Sequence, residues 1–186
     1  MNNKCQWCLG DDLMIKYHDE EWGVPVHDDR LLFEMLTLEG AQAGLSWRTV
    51  LHKRENYREA FDNFDIETVS QYSENRAMEL MQNAGIIRNR LKILSTIQNA
   101  KMIIKIQKEF GSFDKYIWQF TDNKTINNSI KSMLDIPSKT KEAEIMSKSL
   151  LKQGFKFVGA TICYAFMQAT GMVNDHEDSC VYKHRD

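Results

Sequence analysis

Prolines, cysteines and long apolar runs are scarce in this chain. Only two prolines occur in 186 residues, and no segment alternates strongly between apolar and polar residues. Because sheets need such alternation and frequent turns, the pattern predicts an all-α protein. No apolar run follows Met1, and none approaches the roughly 18 residues of a membrane span. We therefore expect a cytoplasmic protein whose four cysteines are reduced and favour metal binding over disulfides.

An excess of positive charge is also missing. The chain has 24 basic and 26 acidic residues, so its net charge is −2. No global basic field points to a polyanionic partner, and any contact with nucleic acid must be local. Hydrophobic residues make up 42% of the chain, which is enough to fill one domain or two small lobes that share a core.

The most informative residues lie near the two chain ends: Cys5, His18, His176 and Cys180. Two thiolates and two imidazoles are the ligand set of a closed, structural zinc site, which would tie the chain ends together. Cys8 and His184 are competing ligands in the same segments. Spacing alone is equally compatible with unrelated residues in polar segments.

One acidic residue continues an apolar helix face. Asp28 and Asp29 predict the start of the first helix, whose apolar stripe includes Leu32 and Met35. Glu39 follows Met35 by one helical turn, so its carboxylate is expected to point where the apolar side chains point. A carboxylate paired inside a helix bundle is the alternative interpretation.

Caps and helix breaks outline the remaining elements. Residues 43–46 end the first helix, and Ser46 caps a second helix from Trp47 to about Phe61, which leaves Leu45 on a tight turn. Further helices are predicted over 73–85, 88–110, 114–120, 140–154 and 160–170, with a polar loop at 121–129.

The link from Gly154 to Gly159 joins the last two predicted helices. Its geometry exposes backbone N–H groups at a helix N-terminus, which binds phosphate without basic side chains. These N–H groups lie near Gly159, Ala160 and Thr161. Lys152 and Lys156 would add local positive charge. A plain helical hairpin, with glycines serving turn geometry, is the alternative.

Five segments carry a family resemblance: LEGAQAGLSW at 38–47, ENY at 55–57, NAGIIR at 83–88, GFKFVG at 154–159 and VNDH at 173–176. With them the chain closely resembles the 3-methyladenine DNA glycosylase I family of the helix-hairpin-helix superfamily, from Cys5 through Cys180. The resemblance implies one two-lobed unit, residues 1–186, of interleaved helical lobes with a helix-hairpin-helix element at about 141–170. It also strengthens the structural zinc prediction.

The resemblance further implies a monomeric enzyme, without membrane contact, that hydrolytically removes 3-methyladenine from alkylated double-stranded DNA. The nucleotide would be flipped out of the duplex and the free base released. Methylation at N3 leaves a cationic purine, so a selective pocket should combine an aromatic face with a negative acceptor. In the family those roles belong to the residues matching Trp47 and Glu39.

Further residues take their expected roles from the same resemblance. Tyr17 matches a pocket tyrosine, and Trp7 and Trp22 resemble further aromatic walls, although core packing is an alternative for the tryptophans. Leu45 matches the apolar wedge that fills the gap left by the flipped nucleotide. Met14 stands where some relatives have an aromatic residue.

Two departures from the wider superfamily bear on mechanism. Residues 159–161 lack the lysine used for Schiff-base chemistry, which predicts a monofunctional enzyme without strand cleavage. Asn174 replaces an aspartate that assists catalysis elsewhere, so little general-base help is expected, although Asp175 could substitute.

Two rival functions belong to other classes. A zinc-stabilised DNA-binding module would not need a carboxylate such as Glu39 on a buried stripe. A metal-dependent nuclease would need a carboxylate cluster for a hard metal, which the sequence lacks.

Overall fold

A computed structural model of the protein describes residues 3–184. Within that range the chain forms ten α-helices: α1 (Asp12–Glu20), α2 (Asp29–Gln42), α3 (Trp47–Leu51), α4 (Arg54–Ala60), α5 (Ile66–Ser70), α6 (Glu74–Leu80), α7 (Arg90–Phe110), α8 (Phe113–Trp118), α9 (Lys141–Gln153) and α10 (Ala160–Ala169). Short 3₁₀ turns lie at Gln6–Cys8, Asp62–Phe64, Gln119–Thr121 and Met133–Asp135. None of the described helices is long and apolar enough to cross a membrane.

Of the predicted all-α fold, the mostly helical character is confirmed, and the described residues also include two short strands. Strand β1 (Ile126–Asn127), inside the predicted polar loop, pairs in parallel with β2 (Val173–Asn174). This two-residue ladder fastens the loop after α8 to the segment after α10.

Helix α2 lies at the centre of the fold. The side chain of Asp28 caps it by accepting a hydrogen bond from the N–H of Leu31. All ten residues from Leu32 to Ala41 are buried, and the helix packs against α3, α7, α8 and α10. Because this helix is enclosed on every side, each polar group along it needs a partner or a ligand.

Several predicted helix bounds were wrong. The first helix is α1, capped by Asp11, and its buried face is only three residues wide, too few to stand out in the sequence. The predicted helix from Trp47 breaks before Arg54, whose guanidinium turns inward to the buried carboxylate of Glu34. The helix predicted over 73–85 ends at Leu80.

The last two helices follow the prediction closely. Thr140 caps α9 through the N–H of Ala143, and α9 ends at Gln153, just before Gly154, whose φ of +100° favours glycine. Helix α10 begins at Ala160 after a six-residue link, 154–159.

Candidate functional site

A cavity of about 330 Å³ opens between α1, α2, α10 and the loop before α9. Ten residues line it: Trp7, Tyr17, Trp22, Glu39, Gln42, Trp47, Met133, Ile136, Ala165 and Gln168. The structure therefore brings together Glu39 and the four aromatic residues singled out from the sequence. Met14 is buried but does not line this cavity.

Glu39 has an unusual environment. It is 5% exposed, and its Oε2 atom has no hydrogen-bond partner among the described residues. Burial raises the pKa of Glu39 from its ordinary 4.5 to about 8. A buried carboxyl without a partner is costly, and this one faces a cavity, so it is suited to receive a ligand.

The neighbouring Glu34 shows what a structural carboxylate looks like on the same helix. Its Oε1 atom lies 2.5 Å from Nε of Arg54 and 2.9 Å from Nη2 of Arg58. The alternative in which the acid is paired inside the bundle thus describes Glu34. It does not describe Glu39.

The aromatic side chains form a continuous wall beside Glu39. The rings of Tyr17 and Trp47 are 5.2 Å apart between centroids, and those of Trp7 and Trp22 are 4.9 Å apart. The indole N–H groups of Trp7 and Trp47 are buried and make no hydrogen bond to the described residues. The cavity therefore offers flat aromatic surfaces beside the Glu39 carboxyl, which suits a planar heterocycle with polar edges.

Leu45 lies on the turn between α2 and α3, outside the cavity lining, and is 42% exposed. Gly44 permits the turn with a φ of +79°. Lys92 on α7 holds it from behind, because its Nζ donates to the carbonyl oxygens of Ala41 and Ala43, each at 2.7 Å. An exposed leucine is thus presented on a braced turn next to the cavity.

The link between α9 and α10 is braced in the same way. The side chain of Asn99 donates to the carbonyl of Lys156 and accepts from its N–H, at 3.0 and 2.8 Å. Gly159 is exposed, and a Cβ atom added to it would meet nothing within 4 Å. None of the described side chains caps α10, so the N–H groups of its first turn have no intrahelical acceptor.

Three of the four predicted metal ligands converge. The ligand atoms of Cys5, His18 and Cys180 lie within 4.8 Å of one another, and all three residues are buried. His18 presents Nε2 to Sγ of Cys180 at 3.5 Å, while its Nδ1 lies 2.9 Å from Oδ1 of Asp19. A carboxylate on the far nitrogen is the arrangement that orients metal-binding histidines. Burial raises the pKa of the Cys5 thiol to about 12, which a bound cation would reverse.

The fourth predicted ligand lies beside this group without belonging to it. The His176 ring is buried, 4.9 Å from that of His18 between centroids, and its Nδ1 is 2.9 Å from Oδ1 of Asn174. Neither competing residue joins the three either. Cys8 donates its thiol to the carbonyl of Cys5, and His184 is exposed.

Asp175, the residue that could substitute as a general base, and Asn174, which replaces the usual aspartate, are both engaged by neighbouring groups. The carboxylate of Asp175 accepts hydrogen bonds from Asn128, Gln168 and Tyr164. Asn174 donates to the carbonyl of Lys183 and accepts from the N–H of His176. Both side chains are thus held by internal structural contacts.

The family model for methyladenine glycosylases matches residues 7–184 of the chain. The chain belongs to this family. It is 48% identical over 177 residues to DNA-3-methyladenine glycosylase 1 of Escherichia coli strain K12, covering 95% of each chain. It is 44% identical over 183 residues to DNA-3-methyladenine glycosylase of Haemophilus influenzae, covering 98% of this chain and 99% of that one.

The fold of the chain also matches a solved structure of another methyladenine glycosylase. It is a tyrosine-to-phenylalanine variant of 3-methyladenine DNA glycosylase I in complex with 3-methyladenine. It aligns with a TM-score of 0.95 at 34% identity, covering 100% of this chain and 99% of that one.

Half of the cavity lining in this methyladenine glycosylase was missed from sequence: Gln42, Met133, Ile136, Ala165 and Gln168. For Gln42 a signal existed, because it follows Glu39 by one helical turn. Met133 and Ile136 lie in a segment with no periodicity, so nothing in the sequence pointed to them. The roles of Leu45 and the α9–α10 link stay predictions.

Proposed function

We propose that this methyladenine glycosylase removes 3-methyladenine from alkylated DNA by hydrolysing the N-glycosidic bond and leaves both strands intact. The observation that carries the proposal is the unpartnered, buried Glu39 carboxyl in an aromatic cavity. N3-methylation gives the base a positive charge, and a cation beside Glu39 would restore the carboxylate and relieve its burial cost. Unmodified adenine brings no such charge.

The protein needs to supply little acid–base catalysis for this reaction. A cationic base is already a good leaving group, so holding it in the cavity supplies most of the help that hydrolysis needs. Trp47 stacks on the flipped base while Glu39 accepts a hydrogen bond from its edge. With Asp175 and Asn174 held elsewhere, water attacks without a dedicated general base.

We also propose how DNA approaches the cavity. Leu45 enters the duplex as the wedge that replaces the flipped nucleotide. The first turn of α10, with Gly159, Ala160 and Thr161, holds a phosphate of the same DNA through backbone N–H groups. Gly154 allows the turn that leads into this contact, and positive charge comes from Lys152 and Lys156.

A structural zinc ion completes the proposal. Cys5, His18 and Cys180 supply three ligands, and Nε2 of His176 supplies the fourth, with Nδ1 held by Asn174. Four protein ligands leave no open position for water, so the ion ties the chain ends together and takes no part in base release.

Base release from methylated duplex DNA tests the function. Chromatography should detect free 3-methyladenine, and a denaturing gel should show intact strands. Binding without release would favour a DNA-binding module, and cut strands would favour a nuclease or a lyase. Either result would overturn the proposal.

Leu45→Gly is expected to slow base release from duplex DNA by about tenfold or more, because the wedge no longer stabilises the flipped state. Binding of free 3-methyladenine should be unchanged, since Leu45 does not line the cavity. Single-turnover rates and calorimetric titration measure the two effects, with Leu45→Met as the apolar control. Equal losses in both assays would mean that Leu45 only packs.

Gly159→Asp is expected to weaken binding of damaged and undamaged duplex alike by about tenfold, because a carboxylate at the start of α10 repels phosphate. Gly159→Ala is the matched control: φ at this position is −62° and space is open, so alanine should be tolerated. Fluorescence anisotropy at fixed salt measures both variants. Unchanged binding by the aspartate variant would show that DNA docks on another face.

A further inference from the structure

One apolar side chain at the rim of the cavity has no role in the reaction described so far. Leu134 is 96% exposed, whereas the flanking residues Met133 and Ile136 line the cavity. Leu134 belongs to the 3₁₀ turn Met133–Asp135, so an exposed apolar side chain stands directly beside Met133 of the cavity lining.

The turn that carries Leu134 is internally fixed. It is the 3₁₀ turn Met133–Asp135, and the Asp135 carboxylate accepts from the N–H groups of Lys131 and Ser132, at 3.2 and 2.9 Å. Asp135 is thereby used within the turn. Met133, Leu134 and Ile136 are held in fixed directions relative to one another.

The chain just before this turn, at Ser129 and Ile130, is fastened to the proposed metal-binding segment. Asp178, which lies between His176 and Cys180, accepts from the N–H of Ile130 at 3.1 Å and from the hydroxyl of Ser129 at 2.6 Å. Its own N–H donates to the carbonyl of Ile130 at 2.7 Å. The rim of the cavity is thus braced by the segment that holds the chain ends.

We propose that Leu134 is a second apolar contact to duplex DNA, on the sugar and base edges of nucleotides beside the flipped one. This inference rests on the proposed function. A base in the cavity remains joined to its strand until the bond breaks, so the cavity rim must lie against DNA. On the described rim outside the Leu45 turn, Leu134 is more exposed than its apolar neighbour Met133, at 96% against 44%. Lys131, exposed and in the same segment, adds a positive charge for the backbone.

The two faces of the turn Met133–Asp135 then have different contacts. Met133 and Ile136 contact the base, and Leu134 contacts the duplex that the base has left. A defect at Leu134 should therefore affect duplex substrates and spare the free base.

Leu134→Ala and Leu134→Asp test the assignment, with Met78→Ala as the control because Met78 is 59% exposed on α6 and does not line this cavity. We expect kcat/KM for methylated duplex to fall about fivefold in Leu134→Ala and more in Leu134→Asp, while free 3-methyladenine binds normally. Release from methylated single strands should change less than release from duplex. Thermal unfolding should match the unsubstituted protein, since Leu134 is 96% exposed.

Two outcomes would refute the proposed contact. One is release of 3-methyladenine from duplex at the unsubstituted rate in both variants, and the other is an equal loss of affinity for the free base. The second outcome would mean that the turn contacts only the base in the cavity and not the duplex. Failure of the proposed function gives a different result from failure of this contact. In that case the unsubstituted protein would release no 3-methyladenine, while its binding to duplex would still depend on Leu134.

Discussion

Glu39→Gln is expected to slow the release of 3-methyladenine from methylated DNA by about tenfold to a hundredfold. The estimate follows from losing a charge-assisted hydrogen bond in a desolvated site, worth about 1.5–3 kcal/mol. Glutamine keeps the shape and one acceptor oxygen but cannot become an anion. The cavity would still fit a purine and would no longer respond to its charge.

Single-turnover release from methylated duplex measures the effect, because the base is cationic while it is bonded to its sugar and leaves as a neutral molecule. Trp47→Ala is the contrasting variant, because stacking of about 1–3 kcal/mol is insensitive to base identity and charge, so its loss should also weaken binding of free 3-methyladenine and free adenine together. Unchanged release by Glu39→Gln would mean that the carboxyl is structural and that recognition works by another route.

The same variant has a distinctive pH signature in the absence of ligand. The pKa of Glu39 lies near 8 in the folded protein against 4.5 ordinarily, so the folded state retains a proton that the unfolded chain releases. Stability linked to Glu39 is therefore present below pH 4.5 and is lost as pH rises toward 8. Glu39→Gln should lack this loss and unfold at higher temperature than the unsubstituted protein at pH 9, by several degrees.

Features of the fold and the site could be predicted from the sequence when they depend on residues within one helical turn. The ends of α9 were predictable, because Thr140 and Gly154 are capping residues whose preferences act over one turn. The inward direction of Glu39 was predictable from helical periodicity. Both signals need only neighbouring residues.

The parts that were missed depend on contacts between distant segments. Met133 and Ile136 reach the cavity because Asp178 fastens their segment from the far end of the chain, and no periodic pattern records that contact. The break before Arg54 reflects its attraction to Glu34 on another helix. The Lys92 brace behind Leu45 joins residues separated by about fifty positions.

Cys180→Ser is expected to abolish zinc binding and to lower the free energy of unfolding by about 3 kcal/mol or more, or roughly 6–12 °C in midpoint for a chain of this length. Metal analysis should find one zinc per unsubstituted chain. Cys8→Ser is the matched control: serine can still donate to the Cys5 carbonyl, and Cys8 is not in the ligand group, so metal content should be normal.

The metal site should also act on the base site through the aromatic wall. The Trp22 ring lies 4.7 Å from His176, and the Trp7 ring lies 5.4 Å from His18, between centroids. Losing the ion would leave the two histidine rings held through Nδ1, by Asp19 and Asn174, but no longer through the metal, so the tryptophans packed on them should loosen and Cys180→Ser should also bind 3-methyladenine more weakly. A variant that keeps zinc would refute Cys180 as a ligand, and a metal-free Cys8→Ser would reassign the site to Cys8. Loss of zinc with unchanged stability would show that the ion, although bound, does not hold the chain ends together.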